Sequence, residues 1–217
     1  MNLSPIRDNF KKFGIAAGLH DVTKKAVNKV VPVRVLCAMK LTFDRVDPEF
    51  LSLPAGYAGA FATPEQLRAW QGDARLDLDD AFLRDAATRG DLCYAITWGS
   101  DLVSYGWYSK RPTSIADDLV LHFDEAWVYM FKGLTLPEYR GNRLHAIGMA
   151  RALEAYEREG SNGILSYVES NNFASLRSCY RMGYQDIGII MVSRVRGRAL
   201  TLETPGCRPY GLWVEAR

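Results

Sequence analysis

The chain has 217 residues, 48% of them hydrophobic and 24% charged, with a formal net charge of +2 at pH 7. That supports a single domain with its own core, and the near-neutral body, without dense interleaving of aromatic and basic residues, argues against a nucleic-acid partner. No apolar run approaches the roughly 20 residues of a membrane helix and the N-terminus lacks the apolar core of a secretory signal, so a cytoplasmic protein is expected.

Arg7, Lys11, Lys12, Lys24, Lys25 and Lys29 against Asp8 and Asp21 put residues 1 to 30 at a net +4, leaving −2 for the remainder. Ile6, Phe10 and Phe13 lie at helical spacing, as do Leu19, Val22, Ala26 and Val30, with a break between Gly14 and Gly18. The pattern predicts a basic helical extension over 1–30 ahead of one domain over 31–217. Its lysine face is either simply solvated or a docking surface for something acidic, such as anionic lipid, a polyanionic glycan or an acyl carrier protein.

Val33 to Leu41 reads as a first strand, and the Pro- and Gly-rich stretch 44–62 as a long loop. Thr63-Pro64-Glu65-Gln66 is a helix start, with Thr63 as cap, Pro64 at the first helical position and Gln66 closing the capping box. A second helix follows from about Asp79 to Arg89. Leu92 to Trp98 and Leu102 to Tyr108 flank Gly99-Ser100-Asp101, a hairpin signal. The aromatics Trp98, Tyr105, Trp107, Tyr108, Trp127 and Tyr129 either fill a sheet core or line a pocket for a sugar ring or apolar amine. Four cysteines, at 37, 93, 179 and 207, have no metal-type spacing, and no metal is expected.

The most informative segment begins at Ala126. A nearly continuous apolar run, Ala126 to Phe131, reads as a strand buried on both faces, stopped at Pro137, which cannot donate to a ladder. From Leu144 to Tyr156 the spacing becomes helical, with Met149, Ala152, Leu153 and Tyr156 on one side and Arg151, Glu154 and Arg158 on the other. A strand that turns into a helix presents unpaired N–H groups, here beside Arg140 and Arg143, and so forms an anion site suited to a pyrophosphate. Gly163 to Val168 reads as another short strand. Asn172 then opens a helix that ends at Gly183-Tyr184.

Pro137-Glu138-Tyr139-Arg140-Gly141-Asn142-Arg143-Leu144-His145 resembles the acetyl-coenzyme A motif of the GCN5-related N-acetyltransferases (GNAT), written Arg/Gln-x-x-Gly-x-Gly/Ala and often preceded by Pro-x-Tyr. Arg143 and His145 stand where that family usually has the motif's glycines. Asn172-Phe173-Ala174-Ser175 and Gly183-Tyr184 resemble the family's Asn-x-x-Ala/Ser and Tyr-x-x-x-Gly-Phe. The likeness covers roughly residues 90 to 195. It implies an α/β (α+β) fold: a mixed, mostly antiparallel central sheet with splayed central strands, flanked by helices.

The resemblance further implies direct transfer of an acyl group, first of all acetyl from acetyl-CoA, to a primary amine of a small molecule, an amino sugar being the first acceptor considered. An acyl carrier protein as donor, or a non-catalytic acyl-CoA binding module, are the alternatives. The implied donor site comprises Leu134, Thr135 and Leu136 on the strand, Arg140, Gly141, Asn142, Arg143, Leu144 and His145 in the loop, and Asn172 and Ser175 on the later helix. The tyrosine whose hydroxyl protonates the thiolate in relatives falls by register on Cys179, with Tyr180 one residue late. Both are candidates, and Tyr180 is preferred for its phenol. The central strand offers no carboxylate base. Glu125, just before it, is the first candidate, followed by His122, Asp124 and Glu169, while the His145 ring is expected to face solvent.

Overall fold

The computed structural model describes residues 33–217; the helices expected over 1–30 lie outside the described residues. In chain order the elements are β1 (Val33–Leu41), β2 (Tyr57–Phe61), α1 (Pro64–Trp70), α2 (Asp80–Arg89), β3 (Leu92–Trp98), β4 (Asp101–Ser109), β5 (Thr113–Ala116) and β6 (Leu119–His122). They continue with β7 (Val128–Thr135), α3 (Leu144–Arg158), β8 (Ile164–Glu169), α4 (Phe173–Arg181), β9 (Gln185–Val195), β10 (Arg198–Glu203) and β11 (Trp213–Ala216).

Local chemistry starts and stops the helices. Thr63 and Gln66 form the expected capping box on α1, Asp79 accepts the Phe82 N–H at 2.8 Å to start α2, and Gly90 ends α2 at φ +75°. The segment 44–62 is not one loop. It holds two short 3₁₀ turns, Phe43–Arg45 and Pro48–Leu51, and the edge strand β2, which pairs with β3 from Tyr57↔Trp98 to Phe61↔Tyr94. Its backbone groups find partners in a ladder although its composition reads as loop.

The main sheet runs β10-β9-β1-β8-β7-β4-β3-β2, and β5, β6 and β11 make a second, three-stranded sheet. Pairing in the main sheet is antiparallel except between β7 and β8. α3 and α4 cover one face, where Met39, Ile96, Val128, Met130, Leu153 and Leu176 form one core. On the other face α1 and α2 lie over β3 and β4, and the small sheet lies over β8, β1 and β9. The buried Tyr105, Trp107, Tyr108, Trp127 and Tyr129 are filling of these cores. Trp98 is exposed and packs edge-on against Tyr57.

β7 and β8 pair only at Val128↔Ile164 and Tyr129↔Leu165. Beyond that the two strands part. Where they separate, Ser166 Oγ donates to the Met130 carbonyl at 3.2 Å. β7 also carries an irregularity there: Tyr108 pairs with Met130 but Trp107 with Lys132, leaving Phe131 as the extra residue of a bulge. Bulges bend a strand locally and re-aim its side chains.

Candidate donor site

The gap between the strands opens at the end of β7 where the chain turns through Pro137–Tyr139 into α3. Parity decides which backbone groups face it. Leu136 N–H donates to the Val103 carbonyl at 3.0 Å and the Leu134 carbonyl accepts the Ser104 hydroxyl at 3.0 Å, so both residues face β4. Backbone groups alternate sides along a strand, which leaves those of Gly133 and Thr135 towards the gap. The backbone groups of Leu134 and Leu136 are thus taken up by β4, and of the three strand residues in the expected site Thr135 alone turns its backbone to the gap.

At the start of α3 the chain takes a left-handed turn without glycine. Arg143, the residue before Leu144, has φ +57° in the left-handed region, and its side chain makes no capping bond. Gly141, at φ +92°, has nothing within 4 Å of where a Cβ would stand. Among the described residues, no protein acceptor meets the backbone N–H groups of Gly141, Asn142, Arg143, Leu144, His145 and Ala146. They face a cavity of about 560 Å³ lined by Thr135, Arg140, Gly141, Arg143 and His145 on one side. Ser178, Arg181 and Met182 of α4, with Asp47, Glu49 and Phe50, close the other.

The charges of the cavity are mixed. Arg140 donates to the Thr135 carbonyl at 3.3 Å, Arg143 is paired with Glu49 and its guanidinium lies 6.0 Å from the Phe50 ring centre. An exposed pair of this kind is worth about 0–1 kcal/mol, so an arriving anion can take Arg143 from Glu49 at little cost. Asn142 donates to the Tyr139 carbonyl at 3.1 Å, steadying the turn.

The His145 ring does not face solvent as expected. It lies on the inner side of α3 against Gly133, where an added Cβ would stand 2.3 Å from Cε1. Burial holds its pKa below the usual histidine value, opposed in part by the Tyr105 carbonyl. Gly133, in the middle of the central strand, is thus a residue that sequence reasoning passed over. Its signal was a lone glycine in a strand run, which often marks a close approach.

The remaining candidates are dispersed. Asn172 caps α4 by accepting the Ser175 N–H at 3.2 Å, and neither residue lines the cavity. Cys179 packs on the inner core and burial raises its thiol pKa to about 11. Tyr180 is 49% exposed and donates its hydroxyl to the two oxygens of Asp186 at 3.1 and 3.0 Å. Burial and that carboxylate raise its pKa to about 12. Glu125 is exposed just ahead of β7, at the end where β7 and β8 are still paired. His122 meets Glu215 at 3.1 Å and stacks on Trp213, and Glu169 pairs with Arg34 at 2.8 Å. Among the described residues, no group of three or more His, Cys, Asp or Glu side chains could hold a metal ion.

Solved structures with this arrangement include a GCN5-related N-acetyltransferase from Sphaerobacter thermophilus, with TM-score 0.55 and 13% identity over 80% of this chain and 56% of that one. The fold is that of the GNAT proteins. A GNAT-family acetyltransferase from Colwellia psychrerythraea has TM-score 0.54 and 12% identity, covering 74% of this chain and 55% of its own. A tandem GNAT protein from the clavulanic acid biosynthesis pathway has TM-score 0.51 and 15% identity, covering 90% and 58%. This chain spans just over half the length of each, and identities this low speak for the GNAT fold alone. No family model and no curated protein matches the sequence.

Proposed function

We propose that the chain is an acyltransferase that moves an acyl group, first of all acetyl from acetyl-CoA, directly to a primary amine of a small molecule, with an amino sugar as the first acceptor to try. The observation that carries this reading is the meeting of two features at one end of the sheet: strands that separate after two pairs, and a turn whose N–H groups have no protein acceptor among the described residues. The gap suits an extended pantetheine arm, whose amides can pair with Gly133 and Thr135 as an added strand pairs with an exposed edge. The N–H groups from Gly141 to Ala146 suit a pyrophosphate, with Arg140 and Arg143 adding charge-assisted contacts.

In the reaction the amine nitrogen attacks the thioester carbonyl, N–H donors stabilise the oxyanion, the C–S bond breaks and the thiolate takes a proton. Cys179 and Tyr180 are the proposed proton sources for that last step. Glu125 would have to act on the amine through water, given its place at the closed end of β7. Native mass spectrometry of the purified chain with added CoA, followed by thioester turnover with primary amines, tests the reading. A one-to-one CoA adduct and amine-dependent thiol release are expected; failure to bind CoA overturns the proposal, and binding without turnover on any amine reduces it to an acyl-CoA binding module.

A further inference from the structure

A strand at the edge of a sheet carries backbone N–H and C=O groups whose partners must come from outside the sheet, and soluble proteins guard such edges with lysine, proline or a bulge. The main sheet ends on β2 at one side and on β10 at the other. β2 exposes only Ala58 and Ala60. β10, Arg198-Ala199-Leu200-Thr201-Leu202-Glu203, holds neither lysine nor proline and pairs with β9 without a shift of register.

The turn before β10 decides which of its backbone groups are free. Arg196 and Gly197, both at positive φ, join Val195 to Arg198 as a two-residue hairpin, whose flanking pair exchanges hydrogen bonds. By alternation the N–H and C=O groups of Arg198, Leu200 and Leu202 bond to β9. The Thr204 N–H, next in that series, donates to the Ile189 carbonyl at 3.0 Å, as this parity requires. Those of Ala199, Thr201 and Glu203 point off the sheet, and among the described residues no backbone partner meets them.

Side chains alternate as well. Thr201 Oγ1 donates to the Val214 carbonyl and the Glu203 carboxylate accepts the Val214 N–H, both at 2.9 Å, so these residues face the small sheet. Leu200 and Leu202 face the other way. At 56% and 59% they are the two most exposed large hydrophobic side chains among the described residues, and the exposed Ile189 and Val195 of β9 stand on the same face.

We propose that β10 is the contact between two copies of this chain, joined antiparallel about a twofold axis at Thr201, so that the main sheet of one copy continues into that of the other. In this register Thr201 meets the partner's Thr201 and Ala199 meets the partner's Glu203, and every outward N–H and C=O of β10 is bonded. Leu200 falls opposite the partner's Leu202 in a non-hydrogen-bonded pair, with Cα atoms about 4.5 Å apart, so the four leucines pack together. A shift by two residues sets Arg198 against the partner's Leu202 and leaves Glu203 opposite the hairpin turn. A helix laid over the leucines, as the amphipathic pattern of residues 1–30 would offer, covers apolar surface but leaves the edge groups unmet. One patch paired with itself is the form a two-subunit contact takes.

Sedimentation of the full chain over a concentration series tests this, and a monomer–dimer equilibrium is expected. Replacing Leu200 and Leu202 together with lysine gathers like charges at the contact and should weaken dimerisation at least about tenfold, while the monomer keeps its circular dichroism because both side chains are exposed. Ala199→Pro leaves the leucines in place and removes an outward N–H that the monomer does not use, and it should weaken the dimer by a similar factor. Register is read by oxidative cross-linking: a mixture of Leu200→Cys and Leu202→Cys chains should form a disulfide dimer faster than either variant alone or the wild type. A wild type that stays monomeric at every concentration would overturn the proposal and leave residues 1–32 to cover the leucines. Dimers that survive the lysine pair overturn it too, and dimers that survive Ala199→Pro would show copies meeting by their leucine faces rather than by their edges. Either cysteine variant cross-linking to itself faster than the mixture would overturn the twofold register.

Discussion

Arg143 and His145 stand where the GNAT motif usually carries glycine, and each departure is resolved by one residue's geometry. Arg143 adopts φ +57° itself, a conformation that costs an L side chain about 1–2 kcal/mol. His145 turns its ring inward, and the space it needs is released by Gly133. Its lowered pKa has a consequence for stability. A histidine held neutral by the fold stabilises above its unfolded pKa of about 6.5, and that stability is lost as pH falls from there through the folded value, because the unfolded chain binds the proton first. The urea midpoint of the wild type should therefore fall more steeply between pH 7 and 5 than that of His145→Gln; parallel slopes would place the ring in water. Cys179 and Tyr180 both keep their protons at neutral pH, with pKa values of about 11 and 12. Cys179 faces the inner core, whereas Tyr180 is held outside by Asp186. Cys179→Ala should accordingly lower kcat more than Tyr180→Phe, which should stay within a few-fold of wild type. A loss of about 10²-fold in Tyr180→Phe, as for a missing general acid, with a normal Cys179→Ala would reverse that assignment.

At the scale of elements the proposed donor site is a junction of β7, α3 and α4. The end of β7 was readable from Pro137 and the start of α3 from the change of hydrophobic period, and both stand within two residues of the expected bounds. The bulge at Phe131 was not readable, since it is defined by registers on a neighbouring strand. β2, β5, β6, β10 and β11 also escaped sequence reasoning. They are four to six residues long, so each carries only two or three repeats of the strand period, and β2 and β11 pair with strands distant in sequence. The junction predicts that replacing both Arg140 and Arg143 with glutamine weakens CoA affinity at least about tenfold by calorimetry, because two charge-assisted contacts are lost. The melting temperature should hardly change, since both side chains are exposed and among the described residues the ion pair lost is that with Glu49. Unchanged affinity would remove this turn from the donor site.

For the whole molecule the unequal charge is the feature with a consequence. Residues 1 to 30 carry a net +4 on a chain whose total is +2, and they precede β1, which lies inside the sheet between β8 and β9. Among the described residues no helix is long and apolar enough to cross a membrane. If the N-terminal lysines dock an acidic partner, the wild type should bind anionic vesicles or acyl carrier protein at low salt and release them as ionic strength rises. Changing Lys11, Lys12, Lys24 and Lys25 to glutamine should abolish that association and spare turnover of free acetyl-CoA. No association in the wild type at low salt would leave the lysines as a solvated face.

The sequence by itself determined the four α-helices of the described residues, the hairpin, the central strand and the turn from that strand into α3, because capping, period and proline chemistry act over a few residues. It also named the family likeness, through spacings within about fifty residues. Tertiary structure alone decided what depends on neighbours distant in the chain: that β1 inserts between β8 and β9, that β7 and β8 part after two pairs, and that Gly133 and Thr135 rather than Leu134 and Leu136 face the gap. It decided the His145 ring in the same way, since whether a ring on a first helical turn meets water or a glycine is set by a strand that no local pattern specifies.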